Sequence, residues 1–182
     1  MEDRMKFLVK WASVITVLLF LLFNFGVTRV FNFIGILDSL SYAVSFTSII
    51  ILIFEKWGWK FFFKIHKVPL IFGSYTGEIT YTHQHNEDRN KIVDVKIEQS
   101  YLSTKVYLST DEISSSSLTS DIVNENGEMV LYYTYITNPK NKYSKDNPIN
   151  RGTARLVING NTIEGVYWTS RNTTGDIIIK RD

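Results

Sequence analysis

The stretch Lys91–Gln99, KIVDVKIEQ, decides the fold of the larger part of the chain. Apolar and charged residues alternate along it, in the order Val93, Asp94, Val95, Lys96, Ile97 and Glu98. A period of two is typical of a β-strand that buries one face and exposes the other to water. The same period recurs after Pro69, where we expect strands at residues 73–83, 91–101, 103–110, 114–124, 128–138, 151–159, 162–171 and 174–181.

Short turns join most of these predicted strands. Glu125-Asn126-Gly127 and Asn159-Gly160-Asn161 have the composition of hairpin turns. Eight consecutive antiparallel strands in about 110 residues predict a small up-and-down β-barrel, because closure removes the exposed sheet edges. A β-sandwich is the alternative. A barrel of this size has room for one small ligand at its mouth.

One connection is long. Residues 138–150, NPKNKYSKDNPIN, contain two prolines and no apolar period. A loop of this length is typical of a lid, a binding loop or a mobile excursion.

Two apolar runs precede the strands. The first is Trp11–Thr28, which has no charged residue, and the second is Phe33–Phe54, which has only Asp38. Each run has roughly 20 residues, enough for a helix to cross a hydrocarbon core of about 30 Å. A cleaved signal peptide is the alternative for the first run, but no small-x-small cleavage site follows it. We therefore expect a transmembrane hairpin with its juxtamembrane segment at residues 1–68 and a β-barrel at residues 69–182.

The flanking charges predict the orientation of the hairpin. Arg4, Lys6 and Lys10 precede the first run, and four lysines follow the second between residues 56 and 67, whereas the connecting loop holds only Arg29. Positive residues stay on the cytoplasmic side, so both termini and the barrel should be cytoplasmic. Trp57 and Trp59 suit an aromatic belt at that membrane surface.

The overall composition hides these two parts. The 182 residues have a net charge of +2, a mean hydropathy of −0.03 and no cysteine. Residues 1–68 carry a net charge of +4 and residues 69–182 carry −2. The missing cysteines exclude a disulfide scaffold and a thiolate zinc site. The charge excludes a strongly basic binder of polymeric nucleic acid, but it permits a small anionic ligand.

Polar residues mark one face of the second apolar run. At helical spacing this face holds Asp38, Ser41, Tyr42, Ser45 and Ser48, and Asn24 of the first run lies at a similar depth. One interpretation is a hydrogen-bonded seam inside the hairpin. The other is a contact between copies of the chain, in an oligomer or a pore, since ionisable groups within membranes are costly and usually functional.

No motif indicates an enzyme or a metal site. The sequence lacks a P-loop, GxGxxG, HExxH and GxSxG. His83 and His85 form an H-x-H with no third ligand, which is weak evidence for a metal. A hydrolase would need a general base, and the nearby carboxylates Asp111, Glu112 and Asp176 show no pairing in the sequence. We expect a binding protein without a cofactor.

An up-and-down trace places one group of polar side chains at the barrel end farther from the membrane. The group comprises Tyr81, Thr110, Ser114, Ser116, Tyr135, Arg151, Thr169 and Arg171. Arginine forks match phosphate oxygens, tyrosine rings stack on bases, and hydroxyls hydrogen-bond base edges. A barrel end that is polar only because it meets water is the simpler interpretation. A lipocalin-type carrier of lipid would instead have an apolar lumen and need no arginine.

Four motifs follow the two apolar runs in a fixed order. They are IEQSYLSTKVYLSTDEISSSS (Ile97–Ser117), VLYYTY (Val130–Tyr135), RGTARLVI (Arg151–Ile158) and GVYWTSRNTTGDI (Gly165–Ile177). With this order the whole chain resembles the CD-NTase-associated protein 15 family. These are the small membrane effectors of CBASS anti-phage systems, also described as SMODS-associating two-transmembrane β-strand-rich effectors.

The resemblance implies a function. A partner CD-NTase would make a cyclic dinucleotide, the barrel would bind it, and the chain would oligomerise through its membrane segments. The bacterial inner membrane would then be disrupted, and the infected cell would die or stop growing before phage mature, an outcome called abortive infection. Thr110, Ser114, Ser116, Thr169 and Arg171 are chosen as motif residues, and Tyr81, Tyr135 and Arg151 are chosen for their place in the barrel geometry. Thr104 and Lys105 are equally motif-like but belong to the opposite end of the barrel.

Overall fold

The protein is described by a computed structural model that covers residues 2–28, 32–62, 68–83, 86–144 and 148–182. The chain divides into two compact units. A helical unit comprises Met1–Ile65 and Ser100–Leu102, and a barrel unit comprises His66–Gln99 and Ser103–Asp182.

The helical unit is built on two long helices. Helix α1 spans Glu2–Leu21 and continues as a π-helix over Leu22–Thr28, and α2 spans Phe33–Lys56 and is followed by a 3₁₀-helix at Gly58–Phe62. Asn32 caps α2, since its side chain accepts a hydrogen bond of 2.8 Å from the Gly35 N–H. The segments Glu2–Gly26 and Phe33–Lys56 are both long and apolar enough to cross a membrane.

Small residues form the contact inside the hairpin. Gly35, Ser39, Ala43 and Thr47 are buried on α2 at intervals of four residues. Side chains of this size let two helix backbones approach closely. The Thr16 hydroxyl of α1 donates to the Thr47 hydroxyl across 3.0 Å, so a polar bond joins the helices at this seam.

Tyr101 belongs to the helical unit although it lies between two strands in the sequence. Its N–H donates to the Glu55 carbonyl at 3.0 Å, and its carbonyl accepts from Arg4 Nη1 at 2.9 Å. Its ring centre lies 5.5 Å from that of Phe54 and 6.2 Å from that of Trp59. Trp59 is fully buried, whereas Trp57, the other tryptophan of the predicted aromatic belt, is exposed.

The barrel unit consists of eight antiparallel strands that close in sequence order. They are β1 (Gly73–His83), β2 (Asn86–Gln99), β3 (Thr104–Ser109), β4 (Ile113–Glu125), β5 (Glu128–Pro139), β6 (Asn150–Asn159), β7 (Thr162–Thr169) and β8 (Thr174–Arg181). A short 3₁₀ turn, Asn141–Tyr143, lies in the long connection. Because β1 pairs with β8, the prediction of a closed barrel is confirmed and the sandwich is wrong.

The alternation along β2 has the predicted effect. Val93, Val95 and Ile97 are all buried in the apolar core that fills the barrel. Leu131, Leu156 and other strand residues of the same inward parity complete this core.

The barrel end at which β1 begins, called here the Arg181 end, is closed by the segment Pro69–Phe72. Arg181 Nη2 donates to the carbonyls of Leu70 and Phe72 at 2.8 and 3.0 Å and to the Tyr75 hydroxyl at 2.9 Å. The Gln99 amide donates to the Pro69 carbonyl at 2.9 Å and accepts from the Ile71 N–H at 2.9 Å. These charge-assisted and neutral hydrogen bonds hold the segment across the core.

Strand β4 contains an irregularity that the sequence pattern did not indicate. Its pairing with β5 shifts register between Ser117 and Thr119. An extra residue in one strand reverses which residues face inward beyond it. Leu118 is therefore exposed and Ile122 is buried, whereas Ser115 is the inward residue before the shift.

Candidate functional site

A cavity of about 180 Å³ opens at the opposite end of the barrel, called here the Arg171 end. Its walls combine aromatic, aliphatic, hydroxyl and charged side chains. They are Ile79, Tyr81, Lys91, Leu108, Thr110, Glu112, Ile113, Ser115, Tyr133, Tyr135, Thr137, Pro148, Asn150, Tyr167, Thr169, Arg171, Thr173 and Ile177. A deep apolar interior beneath a polar rim is the usual form of a small-ligand site.

Five of the eight candidate residues meet at this cavity. They are Tyr81, Thr110, Tyr135, Thr169 and Arg171. Tyr135 and Thr110 are buried in its wall, and Arg171 is exposed at its mouth. Pro148 and Asn150, from the end of the long connection, also line the cavity.

The other three candidates do not line this cavity. Ser114 and Ser116 lie on the other face of β4, and Ser115 takes the inward position because of the register shift. Arg151 is exposed and pairs across the strands with Ile136, a position between the inward residues Tyr135 and Thr137. Residues directly opposite each other share a face of the sheet, so Arg151 points away from the cavity.

Of the four tyrosines that line the cavity, three are buried and form its aromatic wall. The rings of Tyr133 and Tyr135 have centres 5.7 Å apart, and Tyr167 lines the same interior. Burial raises the pKa of Tyr133 and Tyr135 above the ordinary tyrosine value, and it raises the pKa of Tyr167 to about 12. At neutral pH all three hydroxyls are therefore protonated and available as hydrogen-bond donors.

Glycines on the neighbouring strands make room for two of these rings. Gly152 lies directly opposite Tyr135, and a Cβ there would come within 2.4 Å of the ring's Cζ and hydroxyl oxygen. Gly175 lies opposite Tyr167, where a Cβ would come within 2.7 Å of Cε1. Each large ring thus covers the space that the absent side chain leaves.

An ion pair lies in the cavity wall. Lys91 of β2 pairs with Glu112 of the β3–β4 turn, and its ammonium lies 5.8 Å from the centre of the Tyr81 ring. Partial burial lowers the pKa of Lys91, but the hydrogen bond to Glu112 and nearby negative groups raise it above its ordinary value. The ammonium is therefore charged at neutral pH. Lys140 is close by, and its Nζ donates to the Thr110 carbonyl at 2.8 Å.

Sequence reasoning missed Lys91 and Glu112 as cavity residues. Lys91 has the same parity as Val93 and Val95, so the alternation itself indicated that Lys91 points inward. No local pattern indicated that the β3–β4 turn would bring Glu112 to Lys91. Asp111 and Asp176 are exposed and do not line the cavity.

The alternative pair, Thr104 and Lys105, begins β3 at the Arg181 end. The Thr104 side chain is buried and its carbonyl accepts a hydrogen bond from Ser120, whereas Lys105 is exposed. Neither residue lines the cavity at the Arg171 end.

Within the described ranges, no three His, Asp or Glu side chains are grouped so that they could hold a metal ion. His85 and the His83 side chain lie outside what the structure describes.

The structure separates the polar residues of the helical unit. Asp38, Ser41, Tyr42, Ser45 and Ser48 are all exposed on α2. The hydroxyls of Ser41, Ser45 and Ser48 donate to carbonyls of their own helix four residues earlier. Asn24 is instead buried. The outward polar face is therefore distinct from the small-residue seam that joins the two helices.

Comparison with known proteins agrees with this architecture. Residues 66–181 match the family described as "Cap15, cyclic dinucleotide receptor domain". The chain is also 42% identical to CD-NTase-associated protein 15 of Staphylococcus schleiferi over 183 aligned positions, which cover 100% of this chain and 99% of the relative. The resemblance found in the sequence is thereby confirmed, and the chain belongs to the Cap15 family of cyclic dinucleotide receptor proteins.

Proposed function

We propose that the barrel binds a cyclic dinucleotide in the cavity at the Arg171 end. The observation that carries the proposal is the combination of an aromatic interior with cationic side chains at the rim. Tyr133, Tyr135 and Tyr167 offer flat apolar surface and hydroxyl donors to a base. Arg171 and Lys91 offer charged donors to the two phosphates.

The size of the cavity suggests how the ligand is placed. About 180 Å³ is below the range of about 300–1,000 Å³ that is usual for sites enclosing a drug-sized ligand. One base therefore enters the cavity beside the tyrosines, while the phosphates stay at the mouth beside Arg171. Pro148 and Asn150 lie at the same mouth, so the long connection contacts the part of the ligand that remains outside.

The wider role is that of an effector in CBASS anti-phage defence. In this proposal a partner CD-NTase makes the cyclic dinucleotide, and binding drives oligomerisation through the membrane helices. The bacterial inner membrane is then disrupted, and the infected cell dies or stops growing before phage mature. Support comes from the name of the relative, the two apolar helices and the outward polar face around Asp38. Ligand promotes assembly only if the assembled state binds it more tightly.

A titration of the full chain in detergent tests the binding proposal. Cyclic di-AMP, cyclic di-GMP and cyclic GMP-AMP isomers would be added while calorimetry records the heat of binding. We expect at least one of them to bind and to be recovered intact, since the proposed role is not catalytic. A folded protein that binds none of them would exclude this function.

Vesicles made from bacterial lipids test the membrane step. With full chain in the bilayer, the ligand that binds should release an encapsulated dye, whereas vesicles without protein should retain it. Binding without dye release and without a larger assembly would leave a receptor without membrane activity.

A lipid carrier would instead bind a fatty acid in the same cavity and tolerate the loss of Arg171.

A further inference from the structure

The ion pair between Lys91 and Glu112 crosses from strand β2 to the turn that precedes β4. Both side chains line the cavity, and they are only 24% and 25% exposed. A lysine that should attract the phosphates of a ligand is therefore already paired with a carboxylate at the same wall.

The turn holds Glu112 firmly in place. Its N–H donates to the Thr110 hydroxyl oxygen at 3.2 Å, and its carbonyl accepts from the Lys140 N–H at 2.9 Å. The Ile113 N–H donates to the same Thr110 oxygen at 3.1 Å. The carboxylate is thus carried by a turn whose backbone is hydrogen-bonded on both sides.

We propose that Glu112 is a counter-ion that an anionic ligand must displace from Lys91. This inference rests on the proposed cyclic dinucleotide site. A phosphate that approaches the wall is repelled by Glu112 and attracted by Lys91, and the exchange is favourable only if the phosphate gains the lysine. Like-charge juxtaposition of this kind lowers the affinity for every anion and raises the specificity of the site.

A ligand therefore occupies the cavity only if its contacts offset the loss of this ion pair. A ligand with two phosphates that also reaches Arg171 gains a second cationic contact, which offsets the broken ion pair. A linear mononucleotide has a single phosphate group and gains less. The ion pair therefore disfavours occupation of the cavity by a nucleoside monophosphate.

The variant Glu112→Gln tests the proposal in the full chain in detergent. We expect it to bind the cyclic dinucleotide that binds the wild type about three- to tenfold more tightly, as the energies of partly buried ion pairs suggest. It should also bind GMP or AMP measurably. Asp111→Asn removes the same charge from the adjacent, exposed residue and should change the affinity by less than about twofold.

A double-variant cycle separates displacement from simple repulsion. If the ligand breaks the ion pair, Glu112→Gln increases affinity more in the presence of Lys91 than in the Lys91→Gln background. Equal gains in both backgrounds would show repulsion alone and overturn the displacement. Weaker binding of the cyclic dinucleotide by Glu112→Gln than by the wild type would also overturn the displacement, since that result identifies the carboxylate as an acceptor for base N–H groups. Thermal unfolding shows that each variant is folded. A wild type that binds no cyclic dinucleotide would refute the proposed function itself.

Discussion

The rings of Tyr133 and Tyr135 have centres 5.7 Å apart and are inclined at 46° to each other. The two residues point inward from the same strand, two positions apart, and both are buried. Tilted contacts of this kind stabilise aromatic pairs beyond their buried area. The pair therefore forms a rigid wall, and its position depends on the space that Gly152 leaves beneath Tyr135.

Replacing Gly152 by alanine should damage both the fold and the site. The new Cβ would lie 2.4 Å from the Tyr135 ring and 2.7 Å from the Trp168 carbonyl oxygen, which is backbone and cannot move aside. We expect a loss of about 1–3 kcal/mol in the free energy of unfolding, typical of overpacking. Denaturant unfolding followed by circular dichroism measures this loss, and calorimetry should show weaker ligand binding.

Gly160→Asn is the matched control for that variant. Gly160 has φ +61 and no neighbouring atom within 4 Å of a Cβ, and asparagine tolerates this backbone conformation. Its stability and ligand affinity should remain close to those of the wild type. If Gly152→Ala behaved like Gly160→Asn, the close approach to Tyr135 would have no energetic role.

The barrel should become less stable as the pH rises above 10. Burial raises the pKa of Tyr133 and Tyr135, and it raises the pKa of Tyr167 from 10.0 to about 12. Above pH 10 the unfolded chain loses phenolic protons that the folded barrel retains, so the unfolded state binds fewer protons and the free energy of unfolding falls. Urea midpoints at pH 8 and pH 11 measure the effect. Tyr167→Phe should reduce the difference between them, and an unchanged difference would argue against burial of this hydroxyl.

Two arginines distinguish the cavity mouth from the outer wall. Arg171 lines the cavity, whereas Arg151 is exposed and points away from it. Arg171→Gln should weaken cyclic dinucleotide binding by about tenfold or more, as expected for loss of a charge-assisted contact. Arg151→Gln removes the same charge and should change affinity little. Calorimetry on both variants gives the comparison, and equal losses would indicate a general charge effect.

The register of β4 makes a similar distinction between adjacent serines. Ser115 lines the cavity and Ser114 is exposed. Ser115→Val places two methyl groups into a space of about 180 Å³, so the affinity for the ligand should fall. Ser114→Val should leave the affinity unchanged, because Ser114 does not line this cavity and valine is tolerated on an exposed strand face. The opposite result would place the ligand on the outer wall.

The helical unit offers a test of the polar face on α2. Asp38→Ala should preserve the hairpin, because Asp38 is exposed, and it should weaken assembly and dye release in vesicles. Ala43→Leu instead enlarges a fully buried residue of the small-residue seam and should destabilise the hairpin itself. Full membrane activity of Asp38→Ala would show that this face makes no contact between copies.

Local sequence signals predicted the barrel well and the site in part. A period of two and turns such as Asn159-Gly160-Asn161 are local properties, so strand order and most strand bounds followed from them. The register shift after Ser117 depends on pairing with β5, which no local pattern records, and it moved the inward position to Ser115. The place of Tyr101 in the helical unit was not predictable for a similar reason, since its partners Arg4 and Glu55 lie far away in the sequence.

Pairing between the first and last strands also sets the order in which the parts are completed during synthesis. Both helices leave the ribosome before any strand, and β1 can pair with β2 early, but it cannot pair fully with β8 until Arg181 has been added. A chain still in translation, or one cut short before β8, has an incomplete cavity wall that lacks Ile177. The two apolar helices are therefore synthesised before the barrel can close, and a chain without β8 lacks part of the cavity in which we propose that the ligand binds.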